Sequence, residues 1–446
     1  LYSYLGIAYK HNKDFKIAIQ CLSQSLNFNP KNIISILENG QCYEMIGQTS
    51  KAIQKYHEAI EIDASNPNSY NLLGIAEQKN FEYEKALLNF QKAFDLNKEN
   101  PEIISNFGSC LYLVNQKNKA ISIFKKGIEV VKDKSTLYYN LAILYIQDEN
   151  HQKALQYLEK IQGNLSENLN VILSKLVCKR WICEWEETYK DKLVLLHKDN
   201  QNFNPFPLSF LEDSPSKYLI KAKKYFSETY RNQSKKINLS KKNKIRLGYI
   251  SSNIYEHPVS ILLTRVLELH DKSKFEIYTY SFGKKKEDEY YKRIKNSSKK
   301  FYDLSTASLN NIIKQIREDK IDIAIDLMGY TKDNRHEIYT IGIAPIQISY
   351  LGYPGTIGGD SIQYMIADKF LIPNEYKKFY SEKIIYMPNT YMCNDDSIMP
   401  DNSIQINRMS ENLPDDSFVF CCFNSCYKLN PEIFKAWLSL IKQVDN

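Results

Sequence analysis

The first third of this chain repeats three positions every 34 residues, and this period limits the available folds more than any other feature. A small residue, an alanine and a bulky side chain return in the same order five times: Gly6, Gly40, Gly74, Gly108 and Ala142; Ala18, Ala52, Ala86, Ala120 and Ala154; Leu22, Tyr56, Phe90, Phe124 and Leu158. A period of this length indicates a helix–turn–helix unit repeated in an array. The small residues are expected where two helices cross closely, and the bulky ones between helices.

Each unit is predicted to contain two amphipathic helices, A and B. In the first unit helix A covers residues 3–12 and helix B residues 14–28. Pro67 and Pro101 begin later A helices, where the missing N–H costs no hydrogen bond. The period and the residue classes resemble those of the tetratricopeptide repeat, with five units over residues 1–163. Stacked units form a superhelix whose concave face typically binds an extended protein segment.

Beyond residue 163 the period is lost, and residues 164–243 are predicted to be a helical connector. Strand and helix patterns then alternate: strands at 244–251, 275–282, 321–329, 346–352 and 364–372, helices at 260–271 and 309–320. This alternation predicts a parallel α/β sheet with helices on both faces. Such sheets bind ligands beyond the carboxyl ends of their strands, so segments that follow the strands are candidate sites.

Two of these segments follow the first and fourth predicted strands. His257 lies in SSNIYEHP (251–258); its imidazole could shuttle a proton near neutral pH or bind an oxyanion, or could merely cap the next helix. In LGYPGT (351–356), Gly352 and Gly355 allow a tight turn and a close approach of backbone N–H groups to a ligand. An ordinary turn remains the alternative for that segment.

Two further segments follow strand patterns. Lys428 ends FNSCYK (423–428), between the apolar run 418–423, read as a strand, and a helix at 432–443. An ammonium group at a strand-to-helix junction can neutralise a phosphate beside the helix N-terminus, although position alone favours an ordinary surface lysine. GYTK (329–332) follows the third strand.

Composition excludes several classes of protein. The net charge of +7 is spread over 446 residues, and the basic stretch 221–244 matches no nucleic-acid-binding motif, so no nucleic-acid partner is predicted. The nine cysteines lack paired CxxC spacing, which argues against disulfides and zinc and favours a reducing compartment. No apolar run reaches membrane-spanning length, so no membrane partner is predicted. Because the chain starts within a repeat helix and not with Met, we expect it to be a fragment that is truncated at its N-terminus.

Six segments together resemble the protein O-linked N-acetylglucosamine transferases and their plant and bacterial relatives, the family 41 glycosyltransferases. They are CEW (183–185), RLGYISSNIYEHPVS (246–260), DLMGYTKDNRHE (326–337), APIQISYLGYPGTIG (344–358), YSEKIIYMPNTY (380–391) and CFNSCYKLNPEIFKAWLSLIKQV (422–444). The resemblance implies an α-helical tetratricopeptide superhelix followed by an α/β catalytic region of the two-lobed GT-B type. Residues 244–416 would form the N-terminal Rossmann-like lobe and residues 417–446 the start of a C-terminal lobe that is truncated in this chain.

The resemblance also implies an activity: inverting transfer of N-acetylglucosamine from UDP-N-acetylglucosamine to Ser or Thr hydroxyls of proteins. His257 corresponds to the family histidine beside sugar and acceptor, and Lys428 to the lysine that stabilises the departing UDP phosphates, so both are predicted to be catalytic. The predicted substrate-binding residues are Asn253, Leu351, Gly352, Tyr353, Pro354, Asn424 and Ser425. A fixed cation can stabilise the leaving group, so no metal or other cofactor is expected.

The family further implies a groove of repeats that binds protein acceptors, self-association through the repeats, and a location in the cytoplasm, or also the nucleus in a eukaryote. Two residues depart from the family pattern: Asn253 replaces an acid, and Ser425 replaces a glutamine before the phosphate-binding lysine. An amide cannot act as a base, although it can form hydrogen bonds. A related fucosyl- or glucosyltransferase and a non-catalytic repeat scaffold with a degenerate transferase domain therefore stay open. The truncated chain alone is expected to be inactive, because one strand, loop and helix cannot bury the core of a lobe.

Overall fold

The computed structural model describes residues 1–80, 82–114, 116–185, 202–211, 213–230, 237–238, 242–283, 286–399 and 406–444. The chain divides into two compact units, Leu1–Ile182 and Cys183–Asn446. The first unit is helical, and the second is built on a parallel sheet. Much of the predicted connector, including residues 186–201, lies outside the described residues. In the described part, no helix has the length and apolar character needed to cross a membrane.

The first unit contains consecutive A/B helix pairs in the register that the sequence predicts. The five pairs are α1 (Tyr2–His11) with α2 (Phe15–Phe28), α3 (Ile33–Met45) with α4 (Thr49–Ile62), α5 (Pro67–Lys79) with α6 (Tyr83–Leu96), α7 (Pro101–Leu113) with α8 (Lys117–Val130), and α9 (Ser135–Gln147) with α10 (His151–Glu159). Each A helix contacts its own B helix and also the A helix of the next pair, whereas successive B helices contact each other less. The A helices therefore form the more closely spaced row, as in a tetratricopeptide array.

The 34-residue period corresponds to one helix contact that recurs along the array. A Cβ atom on Gly74 would lie 2.8 Å from Cε1 of Phe90, and one on Gly108 would lie 2.3 Å from Cε1 of Phe124. The missing side chain on helix A thus makes room for the ring on helix B. In the fifth pair the glycine is replaced by Ala142 and the ring by the smaller Leu158, and both residues are buried.

We expect Gly74→Val to lower the free energy of unfolding by about 1–3 kcal/mol, because overpacking displaces the Phe90 ring. Gly74→Ala should be less damaging. Adding Phe90→Leu to Gly74→Ala should recover part of the loss, since alanine and leucine already occur together in the fifth pair. Urea unfolding of the single and double variants tests this coupling, and strictly additive losses would contradict the proposed contact.

Helix α11 (Leu169–Trp181) packs on α10 and continues the core of the array. Val171 and Cys178 are buried in the same apolar cluster as Leu158. We assigned this helix to the connector, but it lies in the first compact unit, because its apolar face covers the open side of the last helix pair. The end of the repeats at residue 163 therefore remains a prediction, whereas the first compact unit extends to Ile182.

The second unit contains a seven-stranded sheet in the order β3-β2-β1-β4-β5-β6-β7, with all neighbours parallel. Its strands are β1 (Ile245–Ser251), β2 (Phe275–Ser281), β3 (Lys300–Asp303), β4 (Ile323–Asp326), β5 (Ile346–Ser349), β6 (Tyr364–Ala367) and β7 (Lys383–Tyr386). The described helices of this unit are α12 (Pro215–Thr229), α13 (Pro258–Leu269), α14 (Glu289–Ser297), α15 (Leu309–Glu318), α16 (Glu337–Thr340) and α17 (Pro431–Gln443). Strand order changes direction at β1, which places the topological switch point between β1 and β4.

Two apolar cores lie on opposite faces of this sheet because neighbouring strand residues alternate between them. Ile250 and Ala324 belong to one core, and Tyr249 and Ile325 to the other. The predicted α/β lobe with a Rossmann-like parallel sheet is therefore confirmed. The five predicted strands are present in shortened form, and the two edge strands β3 and β7, each of four residues, were missed.

The strand expected at 418–423 is wrong. These residues form no strand pairing within the described part of the chain, and Phe418, Phe420 and Phe423 are exposed. An apolar run forms a strand only where another strand can accept its backbone hydrogen bonds. The following helix is present as α17, and the Asn430 side chain caps it by accepting a hydrogen bond from the Ile433 N–H at 2.8 Å.

Candidate functional site

The loops that follow β1, β4 and β5 meet at the switch point of the sheet. A Cβ atom on Gly352 would lie 1.9 Å from the carbonyl oxygen of Leu327 and 3.5 Å from Cγ2 of Val259. The loop after β5 therefore lies directly against the loop after β4 and the first turn of α13. This arrangement brings the two best-supported predicted segments, around His257 and Gly352, to the same edge of the sheet.

The loop after β1 is fixed around a methionine sulfur. Ser251 Oγ donates a hydrogen bond to Met328 Sδ at 3.2 Å, and the Asn253 side-chain amide lies 3.5 Å from the same sulfur. The Asn253 carbonyl accepts a hydrogen bond from Ser260 Oγ at 2.6 Å, which ties the loop to α13. Asn253 is thus held in place at the crevice, with an amide where the family pattern has an acid. Sequence reasoning missed Met328, since a methionine after an apolar strand reads as an ordinary core residue.

His257 is the N-cap residue of α13. Its Nδ1 accepts a hydrogen bond from the Val259 N–H at 3.2 Å, so the ring carries its proton on Nε2 and Nε2 acts as a donor. Burial lowers the pKa of His257, and the nearby positive charge of Lys286 lowers it further. The helix cap is therefore present. The role in binding an oxyanion stays a prediction, and proton removal at Nδ1 would require the loss of this cap.

We expect the His257 imidazole to be neutral at pH 7, with its proton on Nε2. Because folding lowers the pKa of His257 below the usual value of about 6.5, the unfolded chain binds more protons, and stability due to this residue falls as the pH drops below that value. ¹⁵N NMR of histidine-labelled protein over roughly pH 5–8 reports both the tautomer and the pKa. His257→Asn keeps a capping oxygen but cannot titrate, so it should remove this contribution. A proton on Nδ1 would contradict the assignment.

The loop 351–358 begins with a tight turn. Leu351 has a left-handed φ of +66°, and the Gly352 N–H donates to the Tyr350 carbonyl at 2.8 Å. Tyr353 is almost fully buried, and its hydroxyl forms a hydrogen bond with the hydroxyl of Tyr218. Burial of the ring limits any substrate contact of Tyr353 to its backbone. Leu351, Gly352 and Pro354 retain exposed surface at the edge of the crevice.

Asn424, Ser425 and Lys428 lie in a separate segment of the second unit. Asn424 and Lys428 are exposed, and residues 426–428 form a single 3-10 turn before α17. Tyr427 within this turn packs against Phe210, with ring centroids 4.9 Å apart. None of the contacts of the described residues joins these three predicted site residues to His257 or Gly352. Their substrate and catalytic roles therefore remain predictions.

Asp326, the last residue of β4, binds the backbone of the loop that follows this strand. It was not singled out from the sequence. Its buried carboxylate accepts hydrogen bonds from the N–H groups of Met328 at 2.9 Å and Gly329 at 3.1 Å. Burial raises the pKa of Asp326 to about 6, and the two hydrogen bonds act in the opposite direction. Asp326 thus fixes the loop on which Gly352 rests. Among the described residues, no cluster of His, Cys, Asp and Glu could hold a metal ion.

Models of known protein families match both parts of the chain. The family model for glycosyl transferase family 41 matches residues 219–405 and 397–446, and tetratricopeptide repeat models match residues 40–80 and 135–163. A solved structure of a mutant O-GlcNAc transferase from Thermobaculum terrenum is 19% identical, covers 92% of this chain and 66% of that one, and has a TM-score of 0.47.

Curated relatives match less than half of the chain. The "Probable UDP-N-acetylglucosamine--peptide N-acetylglucosaminyltransferase SEC" of Arabidopsis thaliana is 39% identical over 208 residues, which cover 46% of this chain and 21% of the relative. The UDP-N-acetylglucosamine--peptide N-acetylglucosaminyltransferase of Caenorhabditis elegans is 35% identical over 157 residues, 35% of this chain and 14% of the relative. The chain thus spans about a fifth or less of the length of these relatives. Since the two matched stretches of the family model run together from residue 219 to residue 446, more than half of the chain, the chain belongs to glycosyl transferase family 41.

Proposed function

We propose that the complete protein transfers N-acetylglucosamine from UDP-N-acetylglucosamine to Ser or Thr hydroxyls of proteins, with inversion at the anomeric carbon. The observation that carries the proposal is the meeting of the loops after β1, β4 and β5 at the switch point, where Gly352 lies against the Leu327 carbonyl. Open α/β sheets bind nucleotide-linked ligands at this position. The names of the curated relatives give the same donor and the same class of acceptor.

The chemistry requires stabilisation of a departing phosphate. The acceptor oxygen bonds to the anomeric carbon while the bond from that carbon to the UDP oxygen breaks, and the bonding electrons stay with UDP. Nε2–H of His257 and the backbone N–H groups near Gly352 are suited to donate hydrogen bonds to the sugar or the phosphate. Lys428 would supply the fixed cation at the leaving group, so the proposed reaction needs no metal. The Asn253 amide cannot take the proton of the acceptor hydroxyl, so in the proposed reaction that proton passes to a phosphate oxygen of the departing UDP, which gains negative charge as its bond to the sugar breaks.

The helical array would bind the protein acceptor along the row of A helices. Polar side chains connect neighbouring A helices there: the Asn106 amide donates to Asn71 Oδ1 at 2.9 Å, and the Asn140 amide donates to Ser105 Oγ at 2.5 Å. Amide groups in a regular row can form hydrogen bonds with the backbone of an extended peptide. We further propose an intracellular site of action, in the cytoplasm or the nucleus, and self-association through the repeats.

One observation favours a second candidate, a repeat scaffold with a degenerate transferase domain. Asn253 replaces the acid of the family pattern, and an amide has no group that can titrate. Its contacts with Ser260 and Met328 hold it in place. In this reading the array binds partner proteins without modifying them.

Mass spectrometry of acceptor peptides tests the proposal. The complete protein is incubated with a library of Ser- and Thr-containing peptides and separately with UDP-N-acetylglucosamine, UDP-glucose and GDP-fucose; peptides with Ala in place of Ser and Thr are the control. We expect N-acetylglucosamine on the hydroxyl peptides only. Transfer of glucose or fucose would support a related transferase instead. Peptide binding without any transfer would support the scaffold.

A further inference from the structure

A buried carboxylate behind the loop 351–358 has no role in the proposed chemistry so far. Glu382, immediately before β7, is 4% exposed. Its Oε2 accepts a hydrogen bond from the Thr356 hydroxyl at 2.8 Å, and its Oε1 accepts one from the Ile357 N–H at 2.7 Å. Because both of these partners are neutral, hydrogen bonds rather than an ion pair with them offset the cost of removing the carboxylate from water.

The two residues before Glu382 bind the same loop. Ser381 Oγ accepts a hydrogen bond from the Gly358 N–H at 3.0 Å, and the Ser381 N–H donates to Thr356 Oγ1 at 3.0 Å. The Tyr380 hydroxyl donates to the Pro354 carbonyl at 3.2 Å. Each residue of the segment 380–382 therefore forms a hydrogen bond with the loop. Glu382, the acidic residue of the segment, is buried.

The backbone of the loop explains why such fastening is needed. Both ends of the loop are left-handed, with φ of +66° at Leu351 and +75° at Gly358. A Cβ atom on Gly358 would lie 2.3 Å from the backbone carbon of Ala222, so the far end of the loop is also wedged against α12. Glycine adopts such a φ without strain, but a non-glycine residue such as Leu351 keeps it only where the surroundings determine the conformation.

We propose that Glu382 is a positioning residue that holds residues 352–356 in the conformation that binds the donor sugar. It acts through Thr356 and Ile357 and does not itself touch the substrate. The consequence for catalysis rests on the proposed function, whereas the effect on the loop does not. Removal of the carboxylate should free the loop locally while the sheet, which is stabilised by its two apolar cores, stays folded.

Amide hydrogen exchange in the complete protein tests the effect on the loop without any substrate. Glu382→Ala should accelerate exchange at residues 352–358 by about tenfold or more, because it removes the buried acceptor of two hydrogen bonds from the loop. Asp319→Asn is the matched control: Asp319 is also 4% exposed and accepts hydrogen bonds from Tyr280 and Tyr302, but it lies after α15, at the amino edge of the sheet. Unchanged exchange at 352–358 in Glu382→Ala, or the same acceleration there in the control, would overturn the proposal.

Kinetics then test the effect on the sugar. We expect Glu382→Ala to raise KM for UDP-N-acetylglucosamine about tenfold or more, with the KM for acceptor peptide unchanged. Glu382→Gln should restore part of the loss, because its amide oxygen can still accept from the Ile357 N–H, whereas Thr356 Oγ1 already accepts two backbone N–H groups and cannot accept the amide N–H as well. A fall in kcat alone, with wild-type KM, would show a general folding defect and overturn the positioning role. If the wild-type protein transfers no sugar, the proposed function fails, while the exchange experiment still decides whether Glu382 holds the loop.

Discussion

Lys428→Ala in the complete protein should slow sugar transfer about 10²–10³-fold while leaving the affinity for UDP-N-acetylglucosamine nearly unchanged. The reason is that negative charge on the leaving UDP grows during the reaction, so a fixed cation stabilises the transition state more than the bound donor. Lys428 lies in a short turn three residues before α17, a helix capped by Asn430. Single-turnover transfer to a peptide, measured beside a donor titration, separates the rate from the affinity.

Two variants control for the charge itself. Lys435→Ala removes the same charge from an exposed position on α17 and should leave the rate unchanged. Lys428→Arg should recover only part of the rate, because a planar guanidinium does not replace a compact ammonium group. Normal turnover in Lys428→Ala would refute the phosphate role and shift weight to the scaffold.

Gly352→Ala should reduce transfer at least about 10²-fold, because its new methyl group meets backbone rather than a side chain. The Cβ atom would lie 1.9 Å from the Leu327 carbonyl oxygen, so the loops after β4 and β5 must separate. We also expect a loss of about 1–3 kcal/mol in the free energy of unfolding, as for other overpacked sites. Steady-state kinetics and urea unfolding of the complete protein measure the two effects.

Gly355→Ala is the graded comparison in the same loop. Its Cβ atom would meet side-chain atoms, Cζ of Tyr353 at 2.7 Å and the hydroxyl of Tyr218 at 2.8 Å, and these rings can shift where a carbonyl in the loop after β4 cannot. Its loss of activity should therefore be smaller. Equal losses in both variants would mean that the contact between Gly352 and Leu327 has no special importance for the site.

The array was predictable because its determinants are local and repeat. Gly74 and Phe90 are only 16 residues apart in sequence, and the same contact recurs in neighbouring units, so the period itself carries the information. The parallel sheet was predictable for a similar reason, since apolar strands alternate with amphipathic helices along the chain. The edge strands β3 and β7 were missed because four partly exposed residues give no such pattern.

The site was predictable only where its residues directly follow a strand. His257 and Gly352 do so, and the shared carboxyl edge of a parallel sheet brings them together. Asp326 and Glu382 were missed, because an acidic residue reads as exposed unless the distant groups that bury it are known. For Lys428 the local pattern was misleading, because the apolar run before it forms no strand in the described part of the chain. The predicted role of Lys428 therefore still depends on the family resemblance alone.

Photoaffinity labelling with a donor analogue tests the central claim, that the crevice between the loops after β1, β4 and β5 holds the sugar. The complete protein is irradiated with a UDP-N-acetylglucosamine analogue that carries a photoreactive group on its N-acyl chain, and the labelled peptides are identified by mass spectrometry. Excess unlabelled UDP-N-acetylglucosamine is the competition control. The account predicts competed labelling within residues 251–259 or 350–358. Competed labelling confined to the helical array, or to residues 318–322 at the amino edge of the sheet, would contradict it.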